Sequence, residues 1–187
     1  MTPFDYISVV LSVVIGLGLS HLLTGSVDLI QARDRVRFYW VHSLWVVLTF
    51  VGIVFLWWSI WRLRVLTNWN FVSFLLLLLE PVLMFVAAAF LVPRPSERRI
   101  DLREHFYASR RGMFGANASL AALLIVQNGL LNGRLWITAD AYLLFVLVLC
   151  VIGIVTARPI FHSAAVILLI GWLVVFVAVF GFRLAGA

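Results

Sequence analysis

Six long apolar runs constrain this chain more than any other feature of its sequence. They cover residues 4–30, 38–61, 71–92, 113–131, 141–157 and 160–183. An α-helix needs about 20 apolar residues to cross the hydrocarbon core of a bilayer. Because backbone groups in lipid must bond within their own segment, each run is expected to be helical. The sequence therefore predicts an all-α integral membrane protein, a bundle of six transmembrane helices forming a single membrane domain over 1–187.

The composition excludes the common soluble classes. Of the 187 residues, 64% are hydrophobic and 12% are charged, whereas about a quarter are charged in an ordinary soluble domain. A small soluble fold leaves too much surface exposed to hide that much apolar area. No residue is a lysine, which excludes reactions that need a lysine amine, such as Schiff-base formation. The single cysteine, Cys150, excludes an intrachain disulfide.

The arginines predict how the chain is oriented. With the N-terminus placed outside, ten of the 14 arginines fall in the inner loops. Positive residues are retained on the cytoplasmic side of membranes, so both termini are predicted outside a cell membrane, such as a bacterial inner membrane. The first residues carry no basic cluster, which favours a retained first helix over a signal peptide.

The only sizeable segment between the runs is 93–112. Ser96 is suited to cap a short helix that Gly112 would end, and this helix is predicted to lie on the cytoplasmic surface as an amphipathic element. Arginines in it are candidate contacts for anionic lipid head groups: Arg98, Arg99, Arg103, Arg110 and Arg111. A solvated connector, or a segment that docks a partner, is the alternative interpretation.

The first run carries a row of small or polar residues at every fourth position. The row consists of Ser8, Ser12, Gly16, Ser20, Thr24 and Asp28. Small side chains let helices approach closely, and hydroxyl groups bond across the contact. The row is predicted to be a helix-packing seam, either within one chain or between copies in a homo-oligomer. A polar path through the membrane is the functional alternative.

Glu80 is the most informative single residue. It follows five leucines and precedes Pro81, roughly 13 Å into its helix at 1.5 Å per residue. A carboxyl group at that depth must be protonated, paired or hydrated. Pro81 has no amide hydrogen, so it frees a carbonyl one turn earlier. An ion or proton site is predicted here, with Ser12, Thr49 and Cys150 as candidate partners at similar depth; a structural role is the alternative.

Four histidines are predicted on the cytoplasmic side. They are His21, His42, His105 and His162, and Asp101 lies one helical turn before His105. Imidazole and carboxylate groups bind metals, and two histidines are able to hold a haem iron. No local metal-binding spacing is present, so a packing role for each histidine stays open.

The remaining polar residues are assigned simpler roles. Four amide residues are expected to bond to neighbouring helices: Asn117, Gln127, Asn128 and Asn132. Asp5 and Asp140 are expected to be solvated at the outer edge or to lie at the starts of helices. No catalytic motif is present, so an enzyme is not favoured, and no nucleic-acid partner is expected. The leading hypothesis is an oligomeric channel or transporter for protons or a small cation. The alternatives are a non-catalytic subunit, sensor or assembly factor, and a haem- or metal-binding redox protein.

Overall fold

Six α-helices account for most of the chain in the computed structural model, which describes residues 2–65, 69–94, 99–132 and 138–176. The helices are α1 (Pro3–Gln31), α2 (Trp40–Ile60), α3 (Phe71–Leu91), α4 (Leu102–Asn132), α5 (Thr138–Val155) and α6 (Pro159–Phe176). Short 3-10 turns, Arg33–Arg35 and Trp61–Val65, follow α1 and α2. The all-α prediction is confirmed for the described residues. Residues 177–183 of the sixth predicted run lie outside them.

Length and hydropathy distinguish two groups of helices. Helices α1, α2, α3 and α4 are long and apolar enough to cross a membrane. Helices α5 and α6 are also apolar, but the stretches Asp140–Val155 and Pro159–Val175 are shorter. Many large apolar side chains on these helices face outward, among them Val9, Phe71 and Ile160. An outer surface of this kind is typical of a protein whose solvent is lipid.

Local sequence explains where two of the helices begin. Thr2 and Asp5 form a capping box at the start of α1, in which the Asp5 amide donates to Thr2 Oγ1 (3.2 Å) and the Thr2 amide to Asp5 Oδ2 (2.7 Å). Asn70 caps α3 by accepting from the Ser73 amide at 2.8 Å. Helix α3 then continues through Pro81 to Leu91 without a break in the helix.

The helices pack around two apolar cores. Helix α3 contacts α1, α2 and α4; α4 contacts α5; and α6 contacts α2 and α5. One core lies among α1, α2 and α3 and includes Leu11, Ile53 and Met84. The other lies among α2, α4, α5 and α6 and includes Trp45 and Phe114, whose rings meet edge to face at 5.1 Å. Among the described helices, α1 packs mainly against α2 and α3.

The segment predicted as a separate surface helix is different in the structure. A two-residue parallel ladder joins β1 (Val36–Arg37) to β2 (Ile100–Asp101), so the α1–α2 and α3–α4 connections are tied together. Helix α4 then runs unbroken from Leu102 through Gly112, and the predicted end at Gly112 is wrong. Packing explains the glycine at this position instead, because a Cβ on residue 112 would overlap the ring of Phe90. Ser96 lies outside the described residues.

The row of small residues on α1 faces away from the rest of the chain. Ser12, Gly16, Ser20 and Thr24 are exposed, and nothing lies within 4 Å of a Cβ built on Gly16. The face of α1 that packs is instead made by residues such as Leu11, Ile15 and Leu22. Among the described residues the row forms no seam within one chain, because the larger apolar side chains of α1 pack there instead. A seam between copies stays a prediction.

Two glycines on α1 make a matched test of this packing. A Cβ on Gly25 would overlap Val92, whereas Gly16 faces open space. We expect Gly25→Ala to lower the free energy of unfolding by about 1–3 kcal/mol, the usual cost of overpacking. Gly16→Ala is expected to be neutral or stabilising by up to about 1 kcal/mol through helix propensity. Thermal unfolding of both variants in one detergent measures this; equal effects would contradict the packing of α1.

Candidate functional site

The carboxyl group of Glu80 is enclosed within the bundle. Glu80 is the tenth residue of the 21-residue helix α3, and only 8% of it is exposed. The next residue, Pro81, is buried too and has no amide hydrogen to give to the carbonyl of Leu77. The site thus combines an enclosed carboxyl group with a backbone carbonyl that lacks its helical donor.

Helix α4 places Gln127 against Glu80. The two side chains interact across the α3–α4 contact, and only 6% of Gln127 is exposed. Its Nε2 is nevertheless buried without completing a hydrogen bond of ordinary geometry. A buried polar group in that state costs roughly 1–3 kcal/mol, and such groups cluster where a protein has a functional reason to keep them.

A second polar contact lies next to Gln127 on α4. The next residue, Asn128, donates from Nδ2 to Asp140 Oδ1 of α5 at 2.9 Å. Asp140 is 3% exposed, so it is not solvated, and it lies in the first turn of α5, as the alternative expectation of a helix-start residue has it. We call Asp140, Asn128, Gln127 and Glu80 the polar row. It links three consecutive helices, starting at the Asp140 end of the bundle, where α4 ends and α5 begins.

The predicted partners of Glu80 lie elsewhere. Ser12 faces outward on α1, and Thr49 is buried on α2. Cys150 is buried on α5 in the core that contains Trp45. Among the described contacts, none joins the Glu80 carboxyl to these three residues. The depth of a residue along its helix does not show which way its side chain points. The packing of the neighbouring helices sets that direction.

Two of the histidines meet at the opposite end of the bundle, which we call the histidine end. His42 Nε2 lies 2.8 Å from the carbonyl oxygen of Leu91, and His105 Nε2 lies 3.1 Å from the same oxygen and from that of Phe90. Since the last carbonyls of a helix lack intrahelical donors, each Nε2 carries the hydrogen and donates it. The two rings lie edge to face, 6.0 Å apart. They hold the end of α3 to α2 and α4.

The other two histidines are separate from this pair. His162 is fully buried and its Nε2 lies 3.0 Å from the carbonyl oxygen of Thr156, with the rings of Phe106 and Phe114 each 5.4 Å away. The ring of His21 packs on Phe85 at 5.7 Å. Among the described residues, no three His, Cys, Asp or Glu side chains are grouped to hold a metal ion.

Asp101 has a structural role at the histidine end. Its Oδ1 accepts from the amides of Arg103 (2.8 Å) and Glu104 (3.1 Å), and Arg37 Nη1 donates to Oδ2 at 3.2 Å. The pKa of Asp101 lies below its ordinary value, chiefly because the Glu104 amide donates to the carboxylate. Desolvation raises the pKa, but the Arg103 amide and the charge of Arg37 lower it further, so the net shift is downward. Asp101 therefore caps α4 and binds the α1–α2 connection.

The predicted head-group arginines are not equivalent. Arg103 and Arg111 are exposed, whereas Arg110 is half-buried and donates from Nη1 to the Tyr107 carbonyl at 2.7 Å. Arg98 lies outside the described residues. An open depression of about 300 Å³ beside them is lined by Pro93, Arg94, Ile100, Asp101, Glu104, His105 and Ala108. The depression carries both signs of charge, so it does not select an anion by itself.

The polar row is the part of the site that sequence reasoning misses. The sequence carries one signal for it, since Gln127 and Asn128 are adjacent amides within an otherwise apolar stretch. Helical periodicity does not show that Glu80 and Asp140 meet these amides from either side. Comparison with protein-family models, with curated proteins and with solved structures finds no match to this chain. The site is therefore interpreted from its own geometry.

The cap at Asp101 predicts a pH dependence. Its folded pKa lies below its ordinary value of 3.8, so the stabilisation is complete above that pH and is lost as the pH falls through the folded pKa. Asp101→Asn is expected to lower the Tm near neutral pH, and the difference in Tm from the unmodified protein should narrow below about pH 4. Asp34→Asn, at an exposed acid of the neighbouring connection, is the control. A constant difference in Tm would contradict the assignment.

Proposed function

We propose that this chain is a multi-pass protein of a cell membrane that moves protons or a small monovalent cation, with Glu80 as the group that binds the cargo. Four long apolar helices and the apolar outer surface support the membrane location. The shorter helices α5 and α6 complete the proposed set of six spans. The orientation with both termini outside stays a prediction, as does assembly into a homo-oligomer.

The observation that carries the proposal is the buried carboxyl group of Glu80, which faces the neutral amide of Gln127. An ionised carboxyl group in a bilayer core is costly, and such residues within spans mark ion and proton pathways. The structure gives Glu80 a neutral amide, Gln127, and no arginine from the described residues that would hold it permanently ionised. A group in this setting binds and releases a proton without first breaking a strong ion pair.

The neighbouring groups have roles that follow from their chemistry. The Gln127 amide is able to donate to the carboxylate and to accept from the protonated acid, so it suits both states. The Leu77 carbonyl, freed by Pro81, offers a further acceptor one turn away. A transport site must both bind and release its cargo, so it needs a small free-energy difference between the bound and the free state rather than tight binding.

The other two hypotheses have less support from the geometry. His42, His105 and His162 each direct Nε2 to a backbone carbonyl, which favours packing roles over ligation of haem or a metal. The exposed row on α1 suits a contact between copies, and that contact is compatible with transport as well as with a purely structural subunit. A cargo site at Glu80 is therefore the proposal that accounts for the carboxyl group buried within the bundle, the feature with the highest free-energy cost.

Glu80→Gln tests the proposal directly. The substitution keeps the shape and removes the titrating group, so proton flux into liposomes, followed with a pH-sensitive dye under an imposed gradient, should fall at least tenfold. Glu80→Asp should keep part of the flux because it retains a carboxyl group. The matched control is Glu104→Gln, an exposed carboxyl group outside the core, which should leave the flux unchanged.

Folding is monitored separately, by Tm and elution volume in detergent. A Glu80→Gln protein that folds normally and carries the same flux as the unmodified protein would remove Glu80 from the mechanism. Flux that is equal with and without the protein would reject transport of protons. The same assay with a sodium or potassium gradient distinguishes a proton from a small metal cation as the cargo.

A further inference from the structure

Two polar contacts on α4, Asn128 with Asp140 and Gln127 with Glu80, lie at adjacent positions between one end of the bundle and Glu80. We propose that protons reach Glu80 from the Asp140 end, and that Asp140 is the carboxyl group that receives them first. This inference rests on the proposed function, since it names the cargo as a proton and gives it a route. It assigns a role to Asp140 and Asn128 that the cargo site alone does not require.

The positions of the polar row along their helices define the route. Asp140 lies two residues after the start of α5, roughly 3 Å along the helix, and Asn128 lies four residues before the end of α4, roughly 6 Å along it. Gln127 is one residue deeper, and Glu80 lies roughly 13 Å from the start of α3. The polar groups of α5, α4 and α3 therefore lie at increasing depth from the Asp140 end. Those of α5 and α3 each contact an amide of α4.

The row is enclosed along most of its length. Asp140, Gln127 and Glu80 are each more than nine-tenths buried. Asn128 bridges to Asp140 at 2.9 Å, while the Gln127 amide nitrogen remains without a complete hydrogen bond. That unfilled donor, next to the carboxyl of Glu80, is available to a bridging water or to the Glu80 carboxylate.

The chemistry of the row suits a proton better than a metal ion. Small metal cations are held by about six or more oxygen ligands, whereas the row presents one carboxyl group at each end with amides between. Amides neither gain nor lose the proton, but each donates and accepts, so they orient the carboxyl groups and a bridging water. In the step itself, protonated Asp140 gives up its proton through such a water; Asp140 becomes a carboxylate and Glu80 a neutral acid.

The other side of Glu80 is apolar. Toward the histidine end, the buried residues of α3 are Met84, Ala87, Ala88 and Leu91. Met84 and Ala88 belong to the same apolar core as Ile53 and Leu22. Within α3, no polar side chain continues from Glu80 toward the histidine end. Release at the histidine end requires a second arrangement of the helices, so the protein would act by alternating access rather than as an open pore.

The experiment measures hydrogen–deuterium exchange at the Glu80 carboxyl group, independently of net transport. The full chain in liposomes is transferred from H₂O to D₂O at acidic pH, and the infrared C=O band of Glu80, identified by its loss in Glu80→Gln, is followed with time. The rate of its shift should be at least tenfold lower in Asp140→Asn than in the unmodified protein. Asp140→Glu should restore the rate.

Two further variants serve as a control and as a substitute for Asp140→Asn. Asp5→Asn removes a carboxyl group at the start of α1, outside the row, and should leave the exchange rate unchanged. Asn128→Leu removes the bridging amide at similar volume and should slow exchange as Asp140→Asn does, so it replaces that variant if Asp140→Asn fails to fold.

The route would be overturned if Asp140→Asn and Asn128→Leu both exchange at the rate of the unmodified protein. This conclusion does not depend on the proton flux that Glu80→Gln carries. If exchange depends on Asp140 but Glu80→Gln keeps its flux, the route to Glu80 stands and the proposed transport function fails. A Glu80 band that never appears on acidification would overturn the route and the proton as the cargo, because Glu80 would then never hold a proton.

Discussion

The backbone carbonyls at the end of α3 must find hydrogen-bond donors, and this requirement organises the bundle. No helical residue follows to supply an amide, and the surroundings are too apolar for a buried carbonyl to remain unpaired at low cost. His42 from α2 and His105 from α4 meet the requirement together. The contact joins α2 and α4 to α3 at one end, and the Arg37–Asp101 pair ties the connections beside it.

The same arrangement separates the two ends of the molecule by chemical character. The histidine end is closed by hydrogen bonds to backbone and by the ring packing around His162. At the Asp140 end, polar side chains from α4 and α5 extend inward toward α3. The proposed one-sided route to Glu80 follows from this difference, because the buried residues of α3 between Glu80 and the histidine end are apolar.

Sequence reasoning succeeds for features set by residues close in the chain. Helix α3 is predicted as 71–92 and observed as Phe71–Leu91, since its length follows from an uninterrupted apolar run. The enclosure of Glu80 is anticipated for the same reason. The predicted stop at Gly112 is wrong because the glycine is required by the ring of Phe90, which lies on another helix. For Asp140 the sequence leaves a solvated residue and a helix-start residue as alternatives, and the packing of α4 against α5 decides that it is buried.

The sequence by itself determined the helical class, the apolar segments and the depth of Glu80, because these depend on hydropathy and on a fixed rise per residue. Only the tertiary structure decided which side chains meet: Gln127 rather than Ser12 or Thr49 at Glu80, Asn128 at Asp140, and two histidines at one carbonyl. In helices that are apolar around their whole circumference, periodicity does not mark which face packs inward. The choice of neighbours, and hence the polar row, comes from the packing of all the helices together.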